Sequence, residues 1–328
     1  MRNFAIGMVG TGSAAKMHFD ILGRIPNVVV QSICGRSKER LALRSVEWGV
    51  RAYPSIEDMV REERLDIVLI ANENFNHAKD ASLAIAAGAH VLVEKPLDAS
   101  LSRARCLLNF ANLHKKTLGV VLQKRFDSNI VKLKKLVSTS FFGAISIAKA
   151  DIFMHRSNEY FDSKYWLKNP HQIGGGILTH HATHMIDALL WILNSEVVSV
   201  SGWTSSHIRS MPIEDSGGCW IQFKNGVVAS INASVALDAH LKNRIEIFGT
   251  SSSAWLTGTS LSYSGTSESL QNINDLSEGN EHEKLWVNYL SAIANSEKPV
   301  ADAESALKTQ IVIDAIYRSA KNSKNIFL

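Results

Sequence analysis

A chain of 328 residues with 45% hydrophobic content can bury a sizeable core and is long for one domain, which sets an expectation of two. Its formal net charge of +4 is small and its basic residues are scattered, which excludes a nucleic-acid-binding protein or one held to an acidic membrane surface. Cys34, Cys106 and Cys219 are far apart and odd in number, which fits neither a disulfide framework nor a cysteine-rich zinc site and points to a reducing compartment.

Met1-Arg2-Asn3 runs directly into an apolar stretch that Gly10-Thr11-Gly12 interrupts, too short for a secretory or membrane-spanning segment, so a cytoplasmic protein is expected. Phe4 to Val9, the glycine turn and a helical pattern through Leu22 predict strand, tight turn and helix. Val28 to Cys34 is β-branched, and Ser37 is placed to cap a helix running to Trp48. Ser55-Ile56-Glu57-Asp58 reads as the next helix start and Asp66 to Ala71 as another apolar strand. A helix ending near Ala87-Gly88, a strand at His90 to Val93, a helix from Ser100 to Lys115 and a strand at Leu118 to Leu122 continue the alternation. Apolar strands separated by helices imply a parallel sheet covered on both faces, so residues 1–122 are expected to form a doubly wound α/β Rossmann domain.

Beyond Gln123 the pattern changes. Ala144 to Phe153, Val197 to Trp203, Gly218 to Phe223, Val227 to Val235 and Arg244 to Phe248 are strand candidates with few helices between them, and Lys224-Asn225-Gly226 is a hairpin turn. One strong helix, about His180 to Leu193, precedes most of the set. Gly258 to Gly279 reads as a surface loop, and helices near Glu283 to Ala294 and Ala303 to Ala320 follow. Residues 123–328 are therefore expected to form an α+β domain with an open, mostly antiparallel sheet, with packing of its last helix back on the first domain left as an open alternative.

The segment Gly10-x-Gly12-x-x-Ala15 lies between a strand and a helix. There the first glycine permits a tight turn, the second lets backbone approach a pyrophosphate, and Ala15 lets helix and strand pack closely. Gly10, Gly12, Ser13, Ala14 and Ala15 are thus candidate cofactor residues. At the end of the second strand the acid that usually holds a ribose 2′-hydroxyl is absent; Arg36, Ser37 and Lys38 stand there instead, which favours NADP, with NAD as the alternative.

The glycine turn, Ala87-Gly88-Ala89-His90-Val91-Leu92-Val93-Glu94-Lys95-Pro96-Leu97, and Gly174-Gly175-Gly176 with His184 and Asp187 together resemble the Gfo/Idh/MocA oxidoreductases, over nearly the whole chain. The resemblance implies hydride exchange between a nicotinamide and a sugar, cyclitol, amino sugar or sugar nucleotide. It implies Lys95 as the ammonium at the reacting oxygen and His184 as acid/base. Both suit the chemistry: a carbonyl becoming an alkoxide needs a nearby positive charge, and imidazole ordinarily titrates near neutrality. It places Ala71, Asn72, Asn74, His77 and Glu94 around the cofactor, with Glu73 where a proline is usual, and Arg125 at ligand contacts. Trp166 is placed near the nicotinamide and Tyr160 and Asp187 near substrate, and a homodimer or homotetramer through the second-domain sheet is implied. Pro96 is a candidate for a cis bond with Lys95.

His180, His184 and Asp187 are spaced i, i+4, i+7 and fall on one helix face. Many members of that family carry an aspartate at the position of His180, which makes His180 a third catalytic candidate. Two histidines four apart can also present themselves to zinc, but no third ligand is signalled, and no metal is expected. Two other functions remain open: a sensor on the same fold without turnover, and a glycosidase that uses NAD transiently.

Overall fold

The computed structural model describes residues 3–157, 174–207, 213–239, 241–264 and 279–328. The chain divides into two compact units: Met1–Gln123 with His171–Gly174 and Asn280–Leu307, and Lys124–Pro170 with Gly175–Gly279 and Lys308–Leu328.

The first unit is built on six strands: β1 (Phe4–Val9), β2 (Val28–Cys34), β3 (Arg51–Tyr53), β4 (Ile67–Ile70), β5 (His90–Val93) and β6 (Leu118–Val120). They pair in parallel in the order β3-β2-β1-β4-β5-β6, the arrangement of a dinucleotide-binding Rossmann sheet. All four residues of β4 are buried, because helices cover a central parallel strand on both faces. The crossovers are α1 (Ser13–Leu22), α2 (Lys38–Trp48), α3 (Ile56–Glu63), α4 (His77–Ala86) and α5 (Leu101–Leu113). The Ser37 and Ser55 hydroxyls cap α2 and α3 by accepting from Arg40 N and Asp58 N. The three-residue β3 was not anticipated from sequence; so short a run carries no readable period.

The returning segment 280–307 has its own reasons to join this unit. It carries α8 (Glu281–Asn295), whose Trp286 and Tyr289 are almost wholly buried. Tyr289 Oη donates to Thr117 O at 3.0 Å, and its ring lies so close over Gly119 that a Cβ there would sit 2.7 Å from it.

The second unit holds α6 (Ser128–Ser138), β7 (Ile145–Phe153), a π-helical turn (Leu178–Ala182) continuing into α7 (Thr183–Leu193), β8 (Val197–Ser205), β9 (Ser216–Phe223), β10 (Val228–Ser234), β11 (Arg244–Gly249), β12 (Ser253–Thr257), β13 (Ser260–Tyr263) and β14 (Ile326–Phe327). Helix α9 (Ala303–Asn322) starts in the first unit and ends in the second. The eight strands run in the order β13-β12-β11-β7-β10-β9-β8-β14, antiparallel throughout except that β10 pairs with β7 in parallel. One face packs on α6, α7 and the second half of α9 through Leu133, Ile186, Leu189, Ile221, Ile231 and Ile316. The sequence reading lacked α6, β12, β13 and β14, and it took Gly258 to Gly279 as loop; β13 occupies the start of that stretch and residues 265–278 lie outside the described set. Among the described residues no helix is long and apolar enough to cross a membrane.

Candidate active site

In the first unit the glycine turn has the geometry its sequence demands. Gly10 has φ +127°, and a Cβ on it would lie 2.4 Å from Ala71 O, so no side chain is tolerated there. Gly12 N-caps α1 without any side-chain hydrogen bond, no acid occupies the first turn, and a Cβ on Gly12 would face open space. Ser13 and Ala14 open that first turn, and Ala15 packs with no exposure. An uncapped N-terminus with an open approach suits a pyrophosphate, so these residues fit a dinucleotide.

Arg36 does not stand as the open cation that the sequence suggested. Its Nη1 donates to Glu73 Oε2 at 2.5 Å and its Nη2 to Asp80 Oδ2 at 2.9 Å, and Asn72 Nδ2 donates to the same Asp80 oxygen at 2.5 Å. The Ser37 hydroxyl is likewise engaged, accepting from Arg40 N and donating to Glu39 Oε2. Two carboxylates therefore surround one guanidinium at the end of β2. Burial and the neighbouring Asp80 charge push the Cys34 thiol up to about 11.

The loops after β4 and β5 are tied together. The buried His77 ring bridges Pro96 O at 2.7 Å and Asn72 O at 3.2 Å, and Ala99 N donates to Asn74 O at 3.3 Å. Asp98, fully buried, accepts from Ala78 N in the first turn of α4, from Ser100 N before α5, and from Arg103. Lys95 follows β5, is partly exposed, and joins Pro96 through a cis peptide bond. Glu94 Oε2 accepts from Lys95 N at 3.2 Å, and Oε1 lies 3.0 Å from His18 Nε2.

In the second unit His180 and His184 are both partly exposed. His180 sits in the π-helical turn and His184 in α7. The His181 ring lies beside that of His180, with centroids 6.3 Å apart. A π-helical turn inside an α-helix often marks a functional site.

Arg125 and Asp187, which the sequence reading gave to ligand contacts, satisfy each other. Nε donates to Oδ2 at 2.8 Å and Nη2 to Oδ1 at 2.6 Å, with side-chain exposures of 2% and 1%, and Thr309 Oγ1 adds a bond of 2.8 Å to Oδ1. A bidentate, buried pair of this kind fixes α7 to the segment after β6. Tyr160, Tyr165 and Trp166 lie outside the described residues.

Glu214 was missed from sequence. Its carboxylate accepts from Gly176 N at 2.9 Å, Leu178 N at 3.2 Å and Tyr317 Oη at 2.7 Å, holding the start of the helix that carries both histidines. Burial raises its pKa, and the Tyr317 hydroxyl bond opposes that shift. The glycine run follows from this packing: a Cβ on Gly175 would lie 2.3 Å from Tyr317 Oη, and one on Gly176 would lie 2.1 Å from Glu214 O. Only the glycines were legible, because Glu214 and Tyr317 are far away in the chain. Among the described residues no three His, Cys, Asp or Glu side chains gather as a metal site.

A Rossmann unit with an anion-ready turn, joined to a unit with an open antiparallel sheet and a histidine-bearing helix, defines a class of two-domain dinucleotide oxidoreductases. A model of the oxidoreductase family with an NAD-binding Rossmann fold matches residues 4–122, and a Gfo/Idh/MocA C-terminal domain model matches residues 130–255. The chain belongs to the Gfo/Idh/MocA family of oxidoreductases. D-Glucoside 3-dehydrogenase of Escherichia coli is 22% identical, covering 98% of this chain and 97% of that protein. An inositol 2-dehydrogenase/D-chiro-inositol 3-dehydrogenase of Lacticaseibacillus casei is 21% identical, covering 98% and 94%. The structure of the WlbA dehydrogenase from Chromobacterium violaceum, in complex with NADH and UDP-GlcNAcA, matches with a TM-score of 0.92 at 25% identity, covering 100% of this chain and 96% of that one.

Proposed function

We propose that this protein is an NAD(H)-dependent dehydrogenase that moves a hydride between nicotinamide and a carbinol or carbonyl carbon of a sugar, cyclitol, amino sugar or sugar nucleotide. The observation that carries the reading is the Gly10–Gly12 turn at the head of a β3-β2-β1-β4-β5-β6 sheet, with Lys95 at the carboxyl end of β5. The dinucleotide supplies the hydride acceptor or donor. Lys95 places an ammonium on the reacting oxygen and stabilises the alkoxide that develops there. His184 takes the hydroxyl proton in oxidation and returns it in reduction. His180, in the π-helical turn, hydrogen-bonds a substrate hydroxyl.

NAD(H) is preferred over NADP(H) in this reading, a revision of the sequence expectation. A 2′-phosphate at the end of β2 would meet Glu73 and Asp80 beside Arg36, two negative charges against one positive. The named relatives support a polyhydroxylated substrate. We further propose that copies of the chain associate as a dimer or tetramer through the open face of the eight-stranded sheet. The test of the catalytic reading is a screen of sugars, cyclitols and sugar nucleotides with each dinucleotide, followed by absorbance of the reduced nicotinamide. Turnover with at least one such compound and NAD(H) is expected; tight dinucleotide binding with no turnover across the panel would favour a sensor instead.

A further inference from the structure

We propose that His18 is a positioning residue for the dinucleotide, holding the Glu94 carboxylate through a relay that begins at Trp286. The proposal rests on the dehydrogenase reading, in which Glu94 and Lys95 face the nicotinamide half of the cofactor. His18 lies on α1 beyond the phosphate-binding turn and is fully buried. Trp286 Nε1 donates to His18 Nδ1 at 2.9 Å, and His18 Nε2 lies 3.0 Å from Glu94 Oε1.

The direction of this chain follows from donor chemistry. An indole N–H can only donate, so Nδ1 of His18 must present its lone pair, and the ring proton of the neutral imidazole sits on Nε2. That N–H then points at Glu94 Oε1, while Glu94 Oε2 accepts from Lys95 N at 3.2 Å. The Trp286 and His282 rings stand edge-on to the His18 ring at 5.9 Å and 5.8 Å, which opposes its rotation. A carboxylate fixed through both oxygens, directly before Lys95 at the carboxyl end of β5, is in place to accept from ribose hydroxyls. In this strand order β4, β5 and β6 form the second mononucleotide half, so Glu94 serves the nicotinamide side and not the adenosine side.

This placement makes a discriminating test. NADH and ADP share the pyrophosphate and the adenosine, and ADP lacks both the nicotinamide and the ribose that carries it. For His18→Leu the Kd for NADH is expected to rise about 10-fold or more, as for loss of a hydrogen bond to a charged group. The Kd for ADP should stay within about twofold. His18→Gln, whose amide can accept from Trp286 and donate to Glu94, should recover most of the affinity for NADH. Trp286→Phe keeps an aromatic ring and removes the N–H together with the pyrrole part of the indole, so it should also weaken NADH selectively, and it serves if His18→Leu fails to fold. Nitrogen-15 NMR of the intact wild-type protein should show His18 protonated on Nε2 with Nδ1 accepting. A proton on Nδ1, an equal loss of NADH and ADP affinity, or no loss of either would overturn the proposal. A wild-type protein that binds neither nucleotide would overturn the dehydrogenase reading as well, whereas normal wild-type binding with unaffected variants would overturn the His18 role alone.

Discussion

Arg36 shows how far a residue can be read from its neighbours in sequence. Its charge and its place after β2 were legible; its partners Glu73 and Asp80, 37 and 44 residues away, were not, because only the parallel sheet brings the β4 loop and α4 beside β2. Glu73→Gln should release part of that grip and shift the ratio of NADP(H) to NAD(H) affinity toward NADP(H) by about 10-fold, the scale of one charge-assisted hydrogen bond. Calorimetric titration with both dinucleotides checks this, and an unchanged ratio would remove Glu73 from the selection. Lys95→Met should bind NADH normally and lose at least ~10²-fold in kcat, since its charge acts on the developing alkoxide more than on the ground state. Activity within a few-fold of wild type would take Lys95 out of the mechanism. The cysteines give a third expectation. Cys34 is pushed up to about 11 by burial and Asp80, burial raises Cys219 further, and Cys106 is exposed. One thiol per native chain should react with a disulfide reagent at pH 8, against three after unfolding.

At the level of elements, the first unit was readable because each strand and helix announces itself locally: apolar runs for β1, β4 and β5, serines at the starts of α2 and α3. Helix α6 could have been found the same way, since Asp127 caps it by accepting from Asn129 N and Ile130 N and its apolar residues recur at Ile130, Leu133 and Leu136. The π-helical turn before α7 could not, because its extra residue per turn answers to tertiary packing around Glu214 and Tyr317. Glu214 carries a pH consequence. Its pKa is raised on folding, so the stability it contributes is present below its ordinary value of 4.5 and is lost as pH rises through the folded value. Thermal unfolding of wild type and Glu214→Gln should therefore diverge with pH: relative to the variant, wild-type Tm falls as pH rises from about 4.5 toward neutrality. Parallel Tm curves for the two proteins would mean that Glu214 ionises as freely folded as unfolded.

For the whole molecule, the alternation of buried and exposed residues in the second unit poses a question that a single chain leaves open. Cross-strand register places Ser201 and Ser230 beside Trp220, and Gly218 beside Trp203, so Trp203 and Trp220 project from one face of the sheet. The same register carries that face to Ile147 through Val228. Trp220 is 59% exposed, Trp203 45% and Ile147 46%, while the opposite residues Ile221 and Ile231 are fully buried beneath the helices. Large exposed apolar groups gathered on one face, with the Lys149–Glu246 ion pair and the Asn232–Asp151 hydrogen bond among them, have the composition of an interface: aromatic anchors with paired polar groups. The sequence marked these stretches as strand candidates, but only the register shows that the tryptophans fall together. A closed dimer would use the same patch twice, which makes one substitution count on both sides of the contact. Trp220→Glu should shift the mass measured by light scattering at micromolar concentration from dimer or tetramer toward monomer. Its Kd for NADH should remain within about twofold of wild type, because the dinucleotide turn belongs to the other unit. A wild-type protein that is monomeric at that concentration, or a Trp220→Glu variant with unchanged mass, would rule out this face as the contact between copies.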